Sequence, residues 1–220
     1  MVKASKEKVV KVLKILEKHF HYTERTTLNR MRKNPDAFKI LISCLLSLRA
    51  RDETTEKVSK KLFKITDTPE KIANLPIKKL EKIIFSSGHY HKKAKALKHV
   101  SRELIQRFNS RVPQNKEDLM SIKGIGPKTA NIVLNFAFNR QVIPVDTHVH
   151  KIPNRLGWIK TKTPEKTEKE LEKIIPKKYW HEINGIFVLF GRTICLSVSP
   201  FCSKCLVNKY CKKINVKKSR

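Results

Sequence analysis

Acidic residues are scarce in this chain. Against 49 lysines and arginines stand only 19 aspartates and glutamates, which leaves a formal net charge of +30 over 220 residues. Self-repulsion on that scale opposes the compact state, so the imbalance points to a polyanionic partner, nucleic acid ahead of an anionic membrane surface. The basic residues run along the whole chain rather than collecting in one tail, as a broad footprint on a phosphate backbone requires. Long apolar runs are missing as well: no stretch approaches the ~20 residues of a membrane span. The opening residues, MVKASKEKVVKVLKILEKHF, interrupt every apolar run with lysine, while Val9, Val10, Leu13, Leu16 and Phe20 recur at helical spacing. An amphipathic helix is expected there, not a secretory leader. The expected setting is the reducing cell interior, where clustered cysteines more often bind metal than form disulfides. Nor does any segment show the two-residue alternation of a strand.

What is present is helical periodicity. Segments 37–48, 52–65, 68–75, 77–88, 91–108, 115–122, 126–138, 145–157, 163–176 and 179–195 read as helices joined by short loops, followed by a loop-rich tail. Thr68-Pro69 and Thr163-Pro164 each place a capping hydroxyl before a proline at the first helical position. The chain is long enough for one large domain or two small ones, and the fold class expected is all-α.

Two stretches carry chemistry. In SIKGIGPKTANIVL (121–134), Gly124 and Gly126 flank one apolar residue before a helix opens at Pro127. Glycine allows a tight turn with positive φ, and the first N–H groups of the helix, with its dipole, favour an anion. The pattern suits a sequence-independent grip on a DNA phosphate; an ordinary helix–helix turn has the same spacing. Lys128 sits on the first turn of that helix, and Asp146 opens the next in VDTHVHKIPNRLG (145–157). An amine nucleophile with a carboxylate is one reading, and a surface lysine with an N-cap aspartate is the other. The second stretch is CLSVSPFCSKCLVNKYC, with four of the five cysteines at C-x6-C-x2-C-x5-C spacing. Four thiolates can hold an iron–sulfur cluster or zinc. A zinc ribbon usually has two C-x2-C pairs, and this run has one. Cys44, inside an apolar helix, is expected to be a core residue.

Taken together and in this order, GIGPKTANIVL, VDTHVHKIPNRLG and the cysteine tail resemble the endonuclease III family of helix-hairpin-helix DNA glycosylase/AP lyases. The resemblance extends through FKILISCLLSLRARDETT, GHYHKKAKAL and VPQNKEDLMSIKGIG, and so covers nearly all of the chain from about residue 30. It implies that Cys195, Cys202, Cys205 and Cys211 ligate one [4Fe–4S] cluster, mainly structural, holding a basic loop with Lys204, Lys209, Lys212 and Lys213 against DNA. It implies Lys128 as the nucleophile that attacks C1′ of a flipped nucleotide, forms a Schiff base and cuts by β-elimination. Asp146 then stabilises positive charge on the sugar. The hairpin glycines with Thr129 are implied DNA contacts, and His148 either contacts DNA or is a structural helix-start residue. Arg49 and His89 stand where bacterial relatives tend to carry Gln and Leu, the positions that fill the hole left by the flipped base. Lys123 and Lys151 stand where proline and arginine are usual, and both keep positive charge.

Further expectations follow. Asp52 is expected to cap the helix after it, with a part in the lesion pocket as the alternative. Trp158, Trp180, Phe187 and Phe190 are expected in the core. The implied architecture is two helical lobes, a bundle of residues 30–140 with the hairpin and a second lobe of 1–29 plus 141–220 with the cluster, the active site lying in the cleft between them. The implied partner is double-stranded DNA with damaged pyrimidines or abasic sites. A monomer is expected, associated with the nucleoid in a prokaryotic cytoplasm and not with a membrane. The rivals are a mismatch glycosylase without lyase activity, which Lys128 argues against, and a non-enzymatic DNA-binding module.

Overall fold

The computed structural model describes residues 5–20, 31 and 34–220, with the side chain of Asp52 excepted; the expected lobe boundary at 29/30 lies outside them. Every regular element among the described residues is a helix. The chain divides into two compact units, one of Met1–Thr23 with Gln141–Arg220, the other Glu24–Arg140. No helix among the described residues is long and apolar enough to cross a membrane.

The Glu24–Arg140 unit contains α2 (Ala37–Ser47), α3 (Asp52–Phe63), α4 (Pro69–Asn74), α5 (Ile77–Ile84), α6 (Tyr90–Phe108), α7 (Lys116–Ser121) and α8 (Pro127–Phe138). Helices α2 and α8 are apolar nearly all round, which suits only a buried position, and they pack on each other. Around them, α3 and α6 pack on α2, α4 and α5 pack on α6, and α7 packs on α8. Cys44 is buried as expected, and burial pushes its thiol up to about 12. Thr68 caps α4 by accepting from Lys71 N. The expected helix over 77–88 is cut at Ile84 by a 3-10 turn, Phe85–Ser87, because the chain then turns through Gly88 at φ 62°. At α3 the N-cap is Arg51, with no side-chain cap. Asp52 is therefore the first helical residue and not the cap expected of it.

The other unit contains α1 (Lys6–His19), α9 (Thr147–Leu156), α10 (Pro164–Ile174) and α11 (Ile183–Thr193). Helices α1 and α9 pack on α11, and α10 packs on α9. Their shared core includes Leu13, Leu16, Ile152, Trp158, Phe187 and Phe190. All four aromatic residues expected in the core are buried. Thr163 caps α10 as expected, accepting from Lys166 N. The helix expected over 179–195 is shorter. After Pro176 the chain makes a 3-10 turn at Lys177–Tyr179, and the Trp180 indole N–H donates back to Ile175 O at 2.9 Å, which holds the chain in tight turns until Ile183. Beyond Thr193 the only regular element is a 3-10 turn at Asn208–Tyr210.

Candidate functional site

The glycine hairpin is formed where α7 ends. Ile125 N–H donates to Ile122 O at 3.0 Å, closing the turn, and Ile125 is buried while Gly124 and Gly126 are exposed. Gly124 has φ +101°, a conformation that favours glycine. Gly126 differs from the expectation: at φ −93°, ψ 174° it is in ordinary extended backbone. A Cβ added at Gly126 would meet nothing within 4 Å. No described residue therefore calls for glycine at 126. What its bareness does is leave the start of α8, where no side chain caps the helix, open to an outside acceptor. Lys128 stands exposed on this first turn. Its amine makes no hydrogen bond or ion pair with any described residue, and its charge is felt at the Cys44 thiol. Thr129, beside it, is buried.

Asp146 is the N-cap of α9. Its Oδ1 accepts from His148 N at 2.9 Å and from Val149 N at 2.8 Å. Both bonds fall on one oxygen, so Oδ2 is left without a helix bond and the carboxylate remains half-exposed. The His148 ring packs against α11: a Cβ built on Gly191 would lie 2.1 Å from His148 Nδ1. Only glycine at 191 admits the ring, which fits the structural alternative raised for His148.

The four clustered cysteines are all free of disulfides and line one small cavity, walled by apolar groups such as Phe190, Ile194, Phe201 and Val207. Among the described residues, no three His, Cys, Asp or Glu side chains gather into a group that could hold a single metal ion. Two N–H groups aim at them: Arg155 Nη1 donates to Cys195 Sγ at 3.2 Å, and Lys213 N to Cys211 Sγ at 3.3 Å. Burial pushes the Cys205 thiol up to about 11, and the neighbouring cysteines add to the shift. Any metal bound through that sulfur would have to displace its proton, which rising pH favours. Lys204, Lys209, Lys212 and Lys213 are all exposed. The Lys204 and Lys209 ammonium groups stand over the Phe201 and Tyr210 rings, at 5.9 and 5.3 Å.

Arg49 and His89 share an unusual backbone. Both have left-handed φ, 54° and 48°, and both are exposed, as are Leu48 and Phe85 close by in sequence. Such conformations in non-glycine residues cost about 1–3 kcal/mol and cluster at functional positions. Arg49, His89, Gly124, Gly126, Lys128 and Thr129 belong to the Glu24–Arg140 unit, whereas Asp146, His148 and the four cysteines belong to the other.

Sequence reasoning passed over two buried cations. Arg155, 7% exposed, also donates to Leu196 O at 2.7 Å and Ser197 O at 3.1 Å. One turn earlier Lys151, its pKa lowered by burial, donates to Cys195 O at 2.9 Å and Ser197 Oγ at 3.1 Å. Together they fasten the first cysteine to α9, the helix that Asp146 starts. Their i, i+4 spacing on one helix face was the signal. The other cation is Lys93, 7% exposed. It shares a stripe with Leu97, Val100 and Leu104 on α6, and a lysine on the apolar face of an amphipathic helix is the clue that was there to read.

Known proteins share this arrangement. Residues 42–177 match the family described as HhH-GPD superfamily base excision DNA repair protein. The chain is 47% identical to the endonuclease III of Thermotoga maritima over 182 residues, 83% of this chain and 85% of that one. Its fold superposes on a trapped endonuclease III–DNA covalent intermediate, an estranged-adenine complex, with TM-score 0.86 and 32% identity, covering 96% of this chain and 97% of that one. It also superposes on a thermostable thymine-DNA glycosylase, with TM-score 0.81 and 26% identity, covering 94% and 96%.

Proposed function

The chain belongs to the endonuclease III family of HhH-GPD base excision DNA repair proteins, DNA glycosylase/AP lyases, and from that membership we propose that it removes oxidised pyrimidines such as thymine glycol from duplex DNA and then cuts the abasic strand. The observation that carries this reading is Lys128: an exposed amine with no partner among the described residues, on the first turn of a helix that no side chain caps. A base inside a duplex is out of reach, so the nucleotide is extruded, at a cost that is least for a damaged base. The hairpin N–H groups at Gly124, Gly126 and Thr129 hold a phosphate of the lesion strand. Arg49 and His89 occupy the space the base vacates.

Lys128 must first lose a proton. Its Nζ lone pair then attacks C1′ as the N-glycosidic bond breaks and the base leaves with the bonding electrons, taking up a proton. Ring opening gives a Schiff base between Nζ and C1′. Loss of a C2′ proton then drives out the 3′ phosphate by β-elimination. Asp146 supplies negative charge against the cation that builds on the sugar, through the Oδ2 oxygen that the helix start does not use. His148 helps fix the helix that carries Asp146.

Cys195, Cys202, Cys205 and Cys211 hold a [4Fe–4S] cluster. The fit rests on four free sulfurs around one apolar cavity and on the N–H groups directed at Cys195 and Cys211. When bound it supplies four iron–thiolate bonds that hold residues 195–211 together. The lysines of that segment bear on the DNA backbone, in a monomer that stays on the nucleoid through its charge. Borohydride reduction tests the whole reading. Duplex DNA with thymine glycol or an abasic site should give a covalent adduct with the protein, and Lys128→Ala should abolish it while keeping DNA affinity. A metal-loaded protein that frees the base without any adduct would be a glycosylase lacking lyase chemistry.

A further inference from the structure

Lys93 donates to three backbone carbonyls, one in the last turn of α2 and two in the segment that leads into α6. Its Nζ donates to Leu46 O at 2.7 Å and to Ser87 O at 2.6 Å, and its own N–H donates to His89 O at 3.0 Å. Leu46 lies in the last turn of α2, three residues before Arg49. Ser87 lies two residues before His89. The last carbonyls of a helix lack intrahelical donors and attract cations. Helix α2 has no basic residue of its own in that turn, so Lys93 supplies one from α6. The turn that follows closes on itself, with Ser47 Oγ donating to Cys44 O at 2.7 Å and Ala50 N to Ser47 O at 3.1 Å. Burying an ammonium is costly unless it is hydrogen-bonded, and here it is spent on carbonyls of both loops and not on a carboxylate.

We propose that Lys93 is a positioning residue that locks the Arg49 loop to the His89 loop, so that the two side chains enter duplex DNA as one preassembled wedge. The inference rests on the reading of Arg49 and His89 as the residues that fill the vacated base position. It explains how two adjacent loops keep left-handed residues at their tips: the strain is held from below by a bridge that touches neither side chain. It also assigns the lysine a role in duplex opening and none in the chemistry at C1′.

Single-turnover borohydride trapping of the full chain on two probes, an abasic site in duplex DNA and the same abasic strand alone, tests this. A single strand has no stack to open, so it needs no wedge. Lys93→Met is expected to slow duplex trapping about 10- to 100-fold, the scale of a misplacement near 1 Å, and to leave single-strand trapping unchanged. Lys93→Arg, which keeps the charge but not the point geometry, should show a smaller defect with the same sparing of the single strand, and it carries the test if Lys93→Met does not fold. In an Arg49→Ala/His89→Ala background, Lys93→Met should cost nothing more. Equal slowing on both probes, or a cost that adds fully to that of the double variant, would overturn the clamp, because a general structural defect behaves in that way. If Arg49→Ala/His89→Ala traps duplex DNA as fast as the unaltered chain, it is the wedge reading that fails.

Discussion

Residues 115–139 and residues 195–220 both present turns that the functional reading directs at DNA, yet they are held in different ways. The first is a turn between two helices, and α8 beneath it is buried from Thr129 to Phe136 against α2. Its shape comes from a hydrophobic core and one positive-φ glycine. The second has a single 3-10 turn, and of its residues only Cys195, Pro200 and Val207 are buried. Its shape comes from chain-to-chain hydrogen bonds such as Ser203 N to Arg220 O and Ile214 N to Arg155 O, from the two cations of α9, and from four sulfurs around a cavity. A segment that short buries little apolar surface of its own, and on the proposed reading the sulfurs are joined through a cluster. The hairpin should therefore tolerate side-chain changes that spare its core, and the tail should not survive loss of one ligand.

That contrast breaks most sharply at Cys205. Cys205→Ala should lower the melting temperature by roughly 10 °C or more, several kcal/mol at about 2–4 °C per kcal/mol, with loss of iron and of the visible absorbance of the loaded protein. An unchanged melt would show that the tail holds itself. Asp146→Asn separates two duties of one residue. Asparagine caps a helix as well as aspartate does, so the melting temperature should hold. Single-turnover base release should fall on the order of 10²-fold, since the charge is lost. A fall in stability with an unchanged rate would make Asp146 a cap and nothing more.

Gly126→Ala sharpens the comparison from the hairpin side. With open space around the new methyl, stability should stay within about 0.5 kcal/mol, as for most surface changes. Duplex affinity should drop about tenfold, or ~1.4 kcal/mol, as a phosphate is pushed away. Gly124→Ala should instead cost about 1 kcal/mol of stability, because its φ is +101°. The smallest effect is expected at Cys44. Its thiol is raised from 9.0 to about 12 in the folded chain, so it stays protonated there while the unfolded chain loses the proton. Its contribution is complete below pH 9 and declines as the pH rises from 9 towards 12. Between pH 9 and 10, urea unfolding should show the chain losing about 1 kcal/mol more than Cys44→Ala. Equal losses would mean that the core around α2 admits water.

Much of this contrast was legible in the sequence, because it rests on local chemistry. The threonine–proline starts of α4 and α10, the largely apolar α2, the glycine hairpin and the cysteine spacing each follow from residues a few positions apart. What was not legible depends on partners distant in the chain. Lys93 reaches Leu46 O, and Arg155 reaches the Leu196 and Ser197 carbonyls, across 47 and 42 positions at most. Among 49 basic residues, only their position on an apolar helix face sets them apart. The extended conformation of Gly126 and the place of Arg51 ahead of α3 were hidden for a different reason. Both turn on backbone angles that the neighbouring residues permit but do not dictate.

The backbone at positions 49 and 89 limits which letters evolution can write there. A left-handed φ excludes Val, Ile and Thr, whose branched Cβ crowds the carbonyl, and leaves unbranched or planar side chains free to interchange. Because the loops are shaped by carbonyl contacts below them, such an exchange would leave their path intact. On the wedge reading, the choice of base tolerated across from a lesion would then drift between lineages through these two codons alone, with Lys128 and the hairpin left as they are.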